Sequence, residues 1–193
     1  MTTASRLLKN SFALSLAVSI ERVVSFVLPL YIARNIGVSG LGFYATITSL
    51  WLIFESLSYL GLDQVLVRDV ARNPEQAPIL FINASVVGLC SSLIFGIVMI
   101  GVAYLLNYPP IVIQSIYVVA GFVLVFDTLS TVAEAIVKGL ERMEFVLFVR
   151  FPANLIRVVL SVLALSHGAS LVAVFWISGL FQIVLLLGFT GLI

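Results

Sequence analysis

The sequence predicts an all-α membrane protein with six transmembrane helices. Hydrophobic residues make up 62% of the 193-residue chain and charged residues only 10%, whereas a soluble domain is about 45–50% apolar and about 25% charged. The apolar residues form six continuous runs, each close to the roughly 20 residues that a helix needs to cross a bilayer. Transmembrane strands would instead show about ten-residue segments of alternating polarity, so a barrel is not expected.

The six predicted spans follow one another with only short connections. They are Ser11–Ala33, Leu41–Leu62, Ile79–Leu106, Ile111–Val137, Phe145–Ser166 and Ser170–Thr190. Turn-forming residues separate them, beginning with Gly37, Gly40 and Gly42 after the first span. Since no linker or low-complexity tract divides the chain, residues 1–193 are predicted to form a single transmembrane domain.

Two segments allow more than one interpretation. Arg6 and Lys9 precede an apolar stretch, as in a signal peptide, but Glu21 and Arg22 interrupt that stretch. It is also longer than the 7–15-residue apolar core of a cleaved signal, so we expect a retained first span. The connection Lys138–Phe145 mixes charged and apolar residues. It is either a short helix on the membrane surface or an ordinary charged loop.

The lysines and arginines of the connections predict the orientation. If the N-terminus is cytoplasmic, Arg34 is the only lysine or arginine of the connections that lies outside the cell. The cytoplasmic set is Arg6, Lys9, Arg68, Arg72, Lys138, Arg142 and Arg150. Cytoplasmic loops of membrane proteins carry an excess of lysine and arginine. We therefore predict that both termini are cytoplasmic and that His167 is outside.

Four of the predicted spans carry ionisable residues along one helical face. Such residues are expensive inside a membrane and usually face protein or water. The faces comprise Ser15, Ser19 and Arg22 with Glu21 beside them, then Thr48, Trp51, Glu55 and Ser58, then Asp127, Thr131 and Glu134, and finally Arg150, Asn154, Arg157 and Ser161. We expect these faces to share one polar interior. The third and sixth spans carry no ionisable residue and are expected to lie outside it or to face lipid.

The buried charges have a structural and a functional interpretation. The acids Glu21, Glu55, Asp127 and Glu134 could neutralise the arginines in buried ion pairs, which contribute little net stability. A purely structural bundle of apolar helices could omit all of these charges, however. For the set as a whole we therefore favour a functional role.

Several classes of function are disfavoured by what the sequence contains. A net charge of +1 provides no basic surface for nucleic acid. The chain has one histidine, His167, and one cysteine, Cys90, and it has neither a Gly-x-x-x-x-Gly-Lys phosphate loop nor a Gly-x-Ser-x-Gly elbow. We therefore expect no metal, no cofactor and no enzymatic activity.

Three segments in order resemble connections of a known family. They are Leu30–Tyr44, Leu60–Asp63 followed by Arg68–Arg72, and Gly139–Glu144. They resemble polysaccharide flippases, which export O-antigen and other lipid-linked oligosaccharides and belong to the multidrug/oligosaccharidyl-lipid/polysaccharide exporter superfamily. The resemblance implies two lobes of helices around a cavity that opens alternately to each side. With six spans, this chain resembles the N-terminal lobe alone. The expected partner is a missing C-terminal lobe or, as the less favoured alternative, a second copy.

The resemblance also implies roles for the buried charges. Cavity arginines in that family are thought to contact the pyrophosphate of the polyprenol carrier, and guanidinium forms forked, charge-assisted hydrogen bonds to phosphate. Arg22 and Arg157, with Asn154, would therefore bind substrate. The acids Glu21, Glu55, Asp127 and Glu134 would balance charge or couple transport to protons or sodium.

Three hypotheses follow. The first is a multi-pass flippase of the cell (cytoplasmic) membrane that moves a polyprenyl-pyrophosphate-linked oligosaccharide, with that substrate and membrane lipids as partners. The second is a cation-coupled multidrug extruder whose acids bind a cationic substrate. The third is an integral membrane enzyme of glycan or lipid synthesis. That enzyme would need a metal-binding acidic motif at the cytoplasmic face, where Asp63, Asp69 and Glu75 are spaced like ordinary loop charges.

Overall fold

A computed structural model of the chain describes residues 22–59 and 61–192, which are helical almost throughout and contain no strand. The helices are α1 (described over residues 22–35), α2 (Gly37–Tyr59), α3 (Leu62–Arg72), α4 (Ala77–Leu105), α5 (Pro110–Val118), α6 (Leu124–Gly139), α7 (Met143–Ser166) and α8 (Leu171–Thr190). A 3₁₀ turn (Pro74–Gln76) precedes α4, and a π-helical turn (Val119–Val123) joins α5 to α6.

Five helical segments in the described residues are long and apolar enough to cross a membrane. They are Gly37–Tyr59, Pro74–Leu105, Pro110–Gly139, Met143–Ser166 and Leu171–Thr190. These segments confirm the second to sixth predicted spans as apolar helices, with bounds that differ by five residues or fewer. The first predicted span, Ser11–Ala33, is described only from residue 22, where it is helical. The first span as a full membrane crossing, and with it the total of six spans, stays a prediction, as does the cytoplasmic position of both termini.

The turn between α1 and α2 is tighter than the sequence predicts. Ile36 alone separates the two helices, and Gly37 has a φ of 89°, a left-handed conformation that favours glycine. The expectation that Gly40 and Gly42 belong to this connection is wrong, because both lie inside α2. A Cβ on Gly40 would collide with the side chain of Ile36, so this glycine allows close packing rather than a turn.

The connection between the second and third spans contains a helix, α3, that the sequence does not predict. In α3 the apolar residues Leu66 and Val70 face inward and are buried, whereas Arg68 is exposed. Close contact with α6 depends on Gly139, where a Cβ would lie 2.7 Å from the Cβ of Val70. The fourth connection forms no separate helix. Neither interpretation of Lys138–Phe145 holds in full, since α6 ends at Gly139, α7 begins at Met143, and only residues 140–142 lie between them.

The segment from α5 to α6 forms the centre of the bundle and is the most buried of the five spans. Two glycines of α4 allow its close approach. A Cβ on Gly88 would lie 2.9 Å from Thr128 Cγ2, and one on Gly96 would lie 2.8 Å from the carbonyl oxygen of Ala120. Small residues at helix contacts are typical of membrane bundles, where backbones approach closely.

The π-helical turn (Val119–Val123) sets the direction of the polar side chains of α6. A π turn contains one residue more than an α turn, and each residue rotates a helix by about 100°. The turn therefore rotates the polar face that begins at Asp127 relative to α5. With this rotation, the buried side chain of Asp127 meets donors from α2 and α8.

Candidate functional site

A polar cavity of about 310 Å³ lies among helices α1, α2, α6, α7 and α8. Its lining residues are Ser25, Tyr44, Thr48, Trp51, Leu52, Glu55, Asp127, Arg150, Asn154, Arg157, Phe181 and Gln182. Acidic groups from α2 and α6 and basic groups from α7 share this one space. The expectation of a common polar interior is therefore met for the second, fourth and fifth spans.

The acidic part of the cavity centres on Asp127, whose side chain is nearly buried at 5% exposure. Its Oδ1 accepts a hydrogen bond from Gln182 Nε2 at 2.6 Å, and its Oδ2 accepts one from Trp51 Nε1 at 3.2 Å. The hydroxyl of Tyr59 lies 3.2 Å from the same Oδ2. Donors from α2 and α8 thus surround a carboxyl group carried by α6.

Glu55 is connected to Asp127 through Tyr59. The Tyr59 hydroxyl donates to Glu55 Oε1 at 2.7 Å and accepts a hydrogen bond from Thr131 Oγ1 at 2.9 Å. A phenol carries a single hydroxyl hydrogen, so Tyr59 serves one of the two carboxyl groups at a time. The two acids therefore share one donor.

The basic part of the cavity is a stripe on α7. Arg157 donates from Nε and Nη2 to Asn154 Oδ1, at 3.1 and 2.8 Å, and its guanidinium lies 5.4 Å from the centre of the Phe181 ring. Asn154 is buried and donates to Ser25 Oγ at 3.0 Å. The forked hydrogen bond and the cation–π contact hold the Arg157 guanidinium in one orientation at the cavity wall.

Glu134 has a different environment from the other acids. Its carboxylate, 7% exposed, receives Arg150 Nη1 on both oxygens, at 3.1 and 2.9 Å, and Lys138 Nζ at 2.6 Å. Glu134 does not line the cavity, although Arg150 does. Two cations on one nearly buried carboxylate make this a charge-balanced cluster between α6 and α7.

The structure brings together most of the predicted site residues in the described chain. Glu55, Asp127, Asn154 and Arg157 all line the cavity. Arg22 is exposed and does not line it, and no hydrogen bond or ion pair joins Arg22 to another described residue. Glu21 lies outside the described residues.

The expectation that the sixth span lies outside the polar interior is wrong. Helix α8 packs against α6 and α7 and contributes Phe181 and Gln182 to the cavity. Gln182 is polar but not ionisable, so the pattern of ionisable residues in the spans does not indicate it. Tyr59 is likewise uncharged near neutral pH, although its position one turn after Glu55 is a signal that could have identified it.

The acidic residues proposed for an enzyme are not assembled into a centre. Asp69 pairs with Arg68 at 3.0 Å on the exposed face of α3. Within residues 22–59 and 61–192, no group of three or more histidine, cysteine, aspartate or glutamate side chains is placed to hold a metal ion.

Comparison with known proteins identifies the family. The family model described as "Polysaccharide biosynthesis protein" matches residues 7–191, nearly the whole chain. The chain belongs to the polysaccharide biosynthesis protein family. The predicted resemblance to polysaccharide flippases is thereby confirmed at the level of the family. Together with five apolar helices, this membership makes the chain a multi-pass membrane protein of polysaccharide biosynthesis. No curated protein and no solved structure matches the chain.

Proposed function

We propose that this protein flips a polyprenyl-pyrophosphate-linked oligosaccharide across the cytoplasmic membrane for the synthesis of a surface polysaccharide. The observation that carries the proposal is the oriented Arg157–Asn154 pair in a polar cavity, in a chain of the polysaccharide biosynthesis family. The reaction requires no covalent chemistry, because the substrate is the same on both sides of the membrane.

An anionic headgroup suits the basic part of the cavity. Arg150 and Arg157 lie seven residues apart on α7, which is two helical turns and about 10.5 Å of rise. A pyrophosphate is shorter than this rise, so one headgroup contacts both side chains only if they converge, and guanidinium groups bind its oxygens in forked pairs. We assign the headgroup contact to Arg157, assisted by Asn154.

The size of the cavity limits what this chain holds by itself. A space of about 310 Å³ is at the lower end for a ligand pocket and fits a headgroup rather than a whole glycan. We propose that a C-terminal lobe, or a second copy of this chain, completes the cavity around the sugars. Arg22 is exposed, and we assign it a headgroup contact outside the described cavity.

The acids divide into two groups in this proposal. Glu134 balances the charges of Arg150 and Lys138, whereas Glu55 and Asp127 face the cavity and couple substrate movement to a cation. The same acids lie beside Trp51 and Phe181 in the cavity wall. Aromatic rings and carboxylates bind lipophilic cations, so drug extrusion is the second candidate.

Flipping of a fluorescent polyprenyl pyrophosphate oligosaccharide in proteoliposomes tests the proposal. We expect flipping when the chain is co-expressed with a C-terminal lobe or reconstituted at several copies per vesicle, and none from a single copy. Flipping by single copies would contradict the lobe assignment. Extrusion of a lipophilic cation without any glycan flipping would favour the drug extruder instead.

A further inference from the structure

A second cavity lies behind the acidic part of the site. It measures about 300 Å³, lies between α3 and α6, and is lined by Asp63, Gln64, Val67, Thr131, Ala135 and Lys138. A space of this size with charged and amide groups in its wall is large enough for several water molecules. Its wall extends to Lys138 in the last turn of α6, the end that the lysine and arginine pattern predicts to be cytoplasmic.

Two hydroxyl groups connect this second cavity to the carboxyl pair. Thr131, in the wall of the second cavity, donates from Oγ1 to Tyr59 Oη at 2.9 Å. Tyr59 then donates to Glu55 Oε1 at 2.7 Å, and its hydroxyl lies 3.2 Å from Asp127 Oδ2. Both hydrogen bonds point the same way, from the second cavity toward the acids.

We propose that Thr131 and Tyr59 form a proton relay between the α3/α6 cavity and the Glu55–Asp127 pair. The inference rests on the proposed function, because it assigns the coupling cation of that site as a proton. Unlike a metal ion, a proton passes along hydroxyl groups without needing an open channel, and the Tyr59 side chain stands between the two cavities. Thr131 and Tyr59 transfer the proton themselves, and neither contacts the transported glycan in this assignment.

The transfer balances at each oxygen. A hydronium ion in the α3/α6 cavity gives a proton to Thr131 Oγ1 and becomes water. The original hydroxyl proton of Thr131 passes to Tyr59 Oη, and the phenolic proton of Tyr59 passes to the carboxylate of Glu55. Both hydroxyls end neutral and Glu55 ends as a carboxylic acid. Rotation of the two O–H bonds restores the starting direction, and Tyr59 also reaches Asp127.

The charges around the pair connect its protonation to the occupancy of the basic part of the cavity. In the described part of the chain, the cations that line the cavity with Glu55 and Asp127 are Arg150 and Arg157 from α7. Asp127 accepts hydrogen bonds from Trp51 on α2 and Gln182 on α8, and both of these donors are neutral. An anionic headgroup bound to Arg157 would offset part of the positive charge beside the two acids. Headgroup binding and proton binding are therefore linked.

Infrared spectroscopy after an acid jump tests the relay on purified protein in lipid, without any glycan. The readout is the rate at which carboxyl C=O bands appear, assigned to the pair by their loss in Glu55→Gln and Asp127→Asn. Thr131→Val keeps the shape of the side chain but removes the hydroxyl. We expect it to slow the bands by about 100-fold, the lower end of the effect of a positioned proton-transfer group, with an unchanged final amplitude.

Two variants control for packing. Thr131→Ser retains the hydroxyl and should restore the rate. Thr128→Val, one turn away on α6, removes a buried hydroxyl that bonds only to the Leu124 carbonyl in this structure, and it should leave the rate unchanged. If the valine variant does not fold, Thr131→Ala supplies the same test.

Two results would overturn the relay. One is a wild-type rate in a folded variant without the Thr131 hydroxyl, which would mean that protons reach the acids from the other cavity. The other is the absence of any carboxyl band from the pair in the wild type. Neither measurement depends on flipping, so a failed relay leaves the flippase proposal to its own assay.

Discussion

Removal of the two cations around Glu134 should destabilise the bundle far more together than separately. The carboxylate is 7% exposed and is contacted by Lys138 Nζ at 2.6 Å and by Arg150 Nη1 at 2.9 Å. Lys138→Met leaves the arginine in place, and Arg150→Met leaves the lysine. Both cations are more than 40% exposed, so each single change should cost about 1 kcal/mol of unfolding free energy.

The double change leaves a buried carboxylate without either cation. Breaking a buried ion pair in this way costs about 3–5 kcal/mol. The double variant should therefore lose at least about 1 kcal/mol more than the sum of the single variants, within the usual range for coupled neighbours. Adding Glu134→Gln should recover most of this excess, because the buried charge is then absent.

Reversible unfolding in mixed micelles measures these free energies. The cycle cancels whatever each cation contributes elsewhere, so only the coupling through Glu134 remains. The matched control is Arg68→Met, which breaks an ion pair with Asp69 whose side chains are 61% and 38% exposed, and should cost well under about 1 kcal/mol. Additive single changes, or no recovery with Glu134→Gln, would refute the charge-balancing role.

Three further predictions use other parts of the fold. Gly139→Ala should lower the free energy of unfolding by about 1–3 kcal/mol in the same assay. The added Cβ would lie 2.7 Å from the Cβ of Val70 and force α3 away from α6, so an unchanged stability would refute the contact. Gln182→Leu should cost about 1–3 kcal/mol, because it removes the 2.6 Å donor to Asp127. The same change in an Asp127→Leu background should cost less, and an equal cost in both backgrounds would refute the contact. Cysteines introduced at Ser170 and Gln76 should react with impermeant reagents from outside and inside, respectively, and the reverse pattern would refute the predicted orientation.

The bounds of the spans could be predicted because apolar runs end where the sequence changes character. Pro110 begins α5 and His167 follows α7, and each is visible as a break in hydropathy. Gly40 was misassigned because glycine in a sequence does not distinguish a turn from a close helix contact. In a membrane bundle the second use is common.

The parts that could not be predicted depend on packing between distant elements. The helix α3 has few residues and carries four charges, so it resembles a charged loop in composition. The π-helical turn (Val119–Val123) has no residue that marks it, since every residue there is ordinary for an apolar helix. Its effect on Asp127 is visible only in three dimensions.

The polar faces of the second, fourth and fifth spans were predictable from helical spacing, and the site residues on them follow. Spacing shows which side chains share a face but not which partners they meet. Glu134 and Asp127 lie on one predicted face of α6, yet Glu134 meets two cations and Asp127 meets neutral donors. That difference separates charge balance from coupling, and it requires the positions of α7 and α8.

The binding of polyprenyl pyrophosphate oligosaccharide to the purified protein, compared with Arg157→Ala, Arg157→Lys and the surface control Arg68→Ala, tests the central claim most directly. The account predicts that alanine weakens binding by about 100-fold, equivalent to about 3 kcal/mol for a lost charge-assisted pair. Lysine should restore part of the affinity because it keeps the charge without the fork, and the control should bind normally. Equal affinity in the wild type and Arg157→Ala, with both variants folded, would contradict the account.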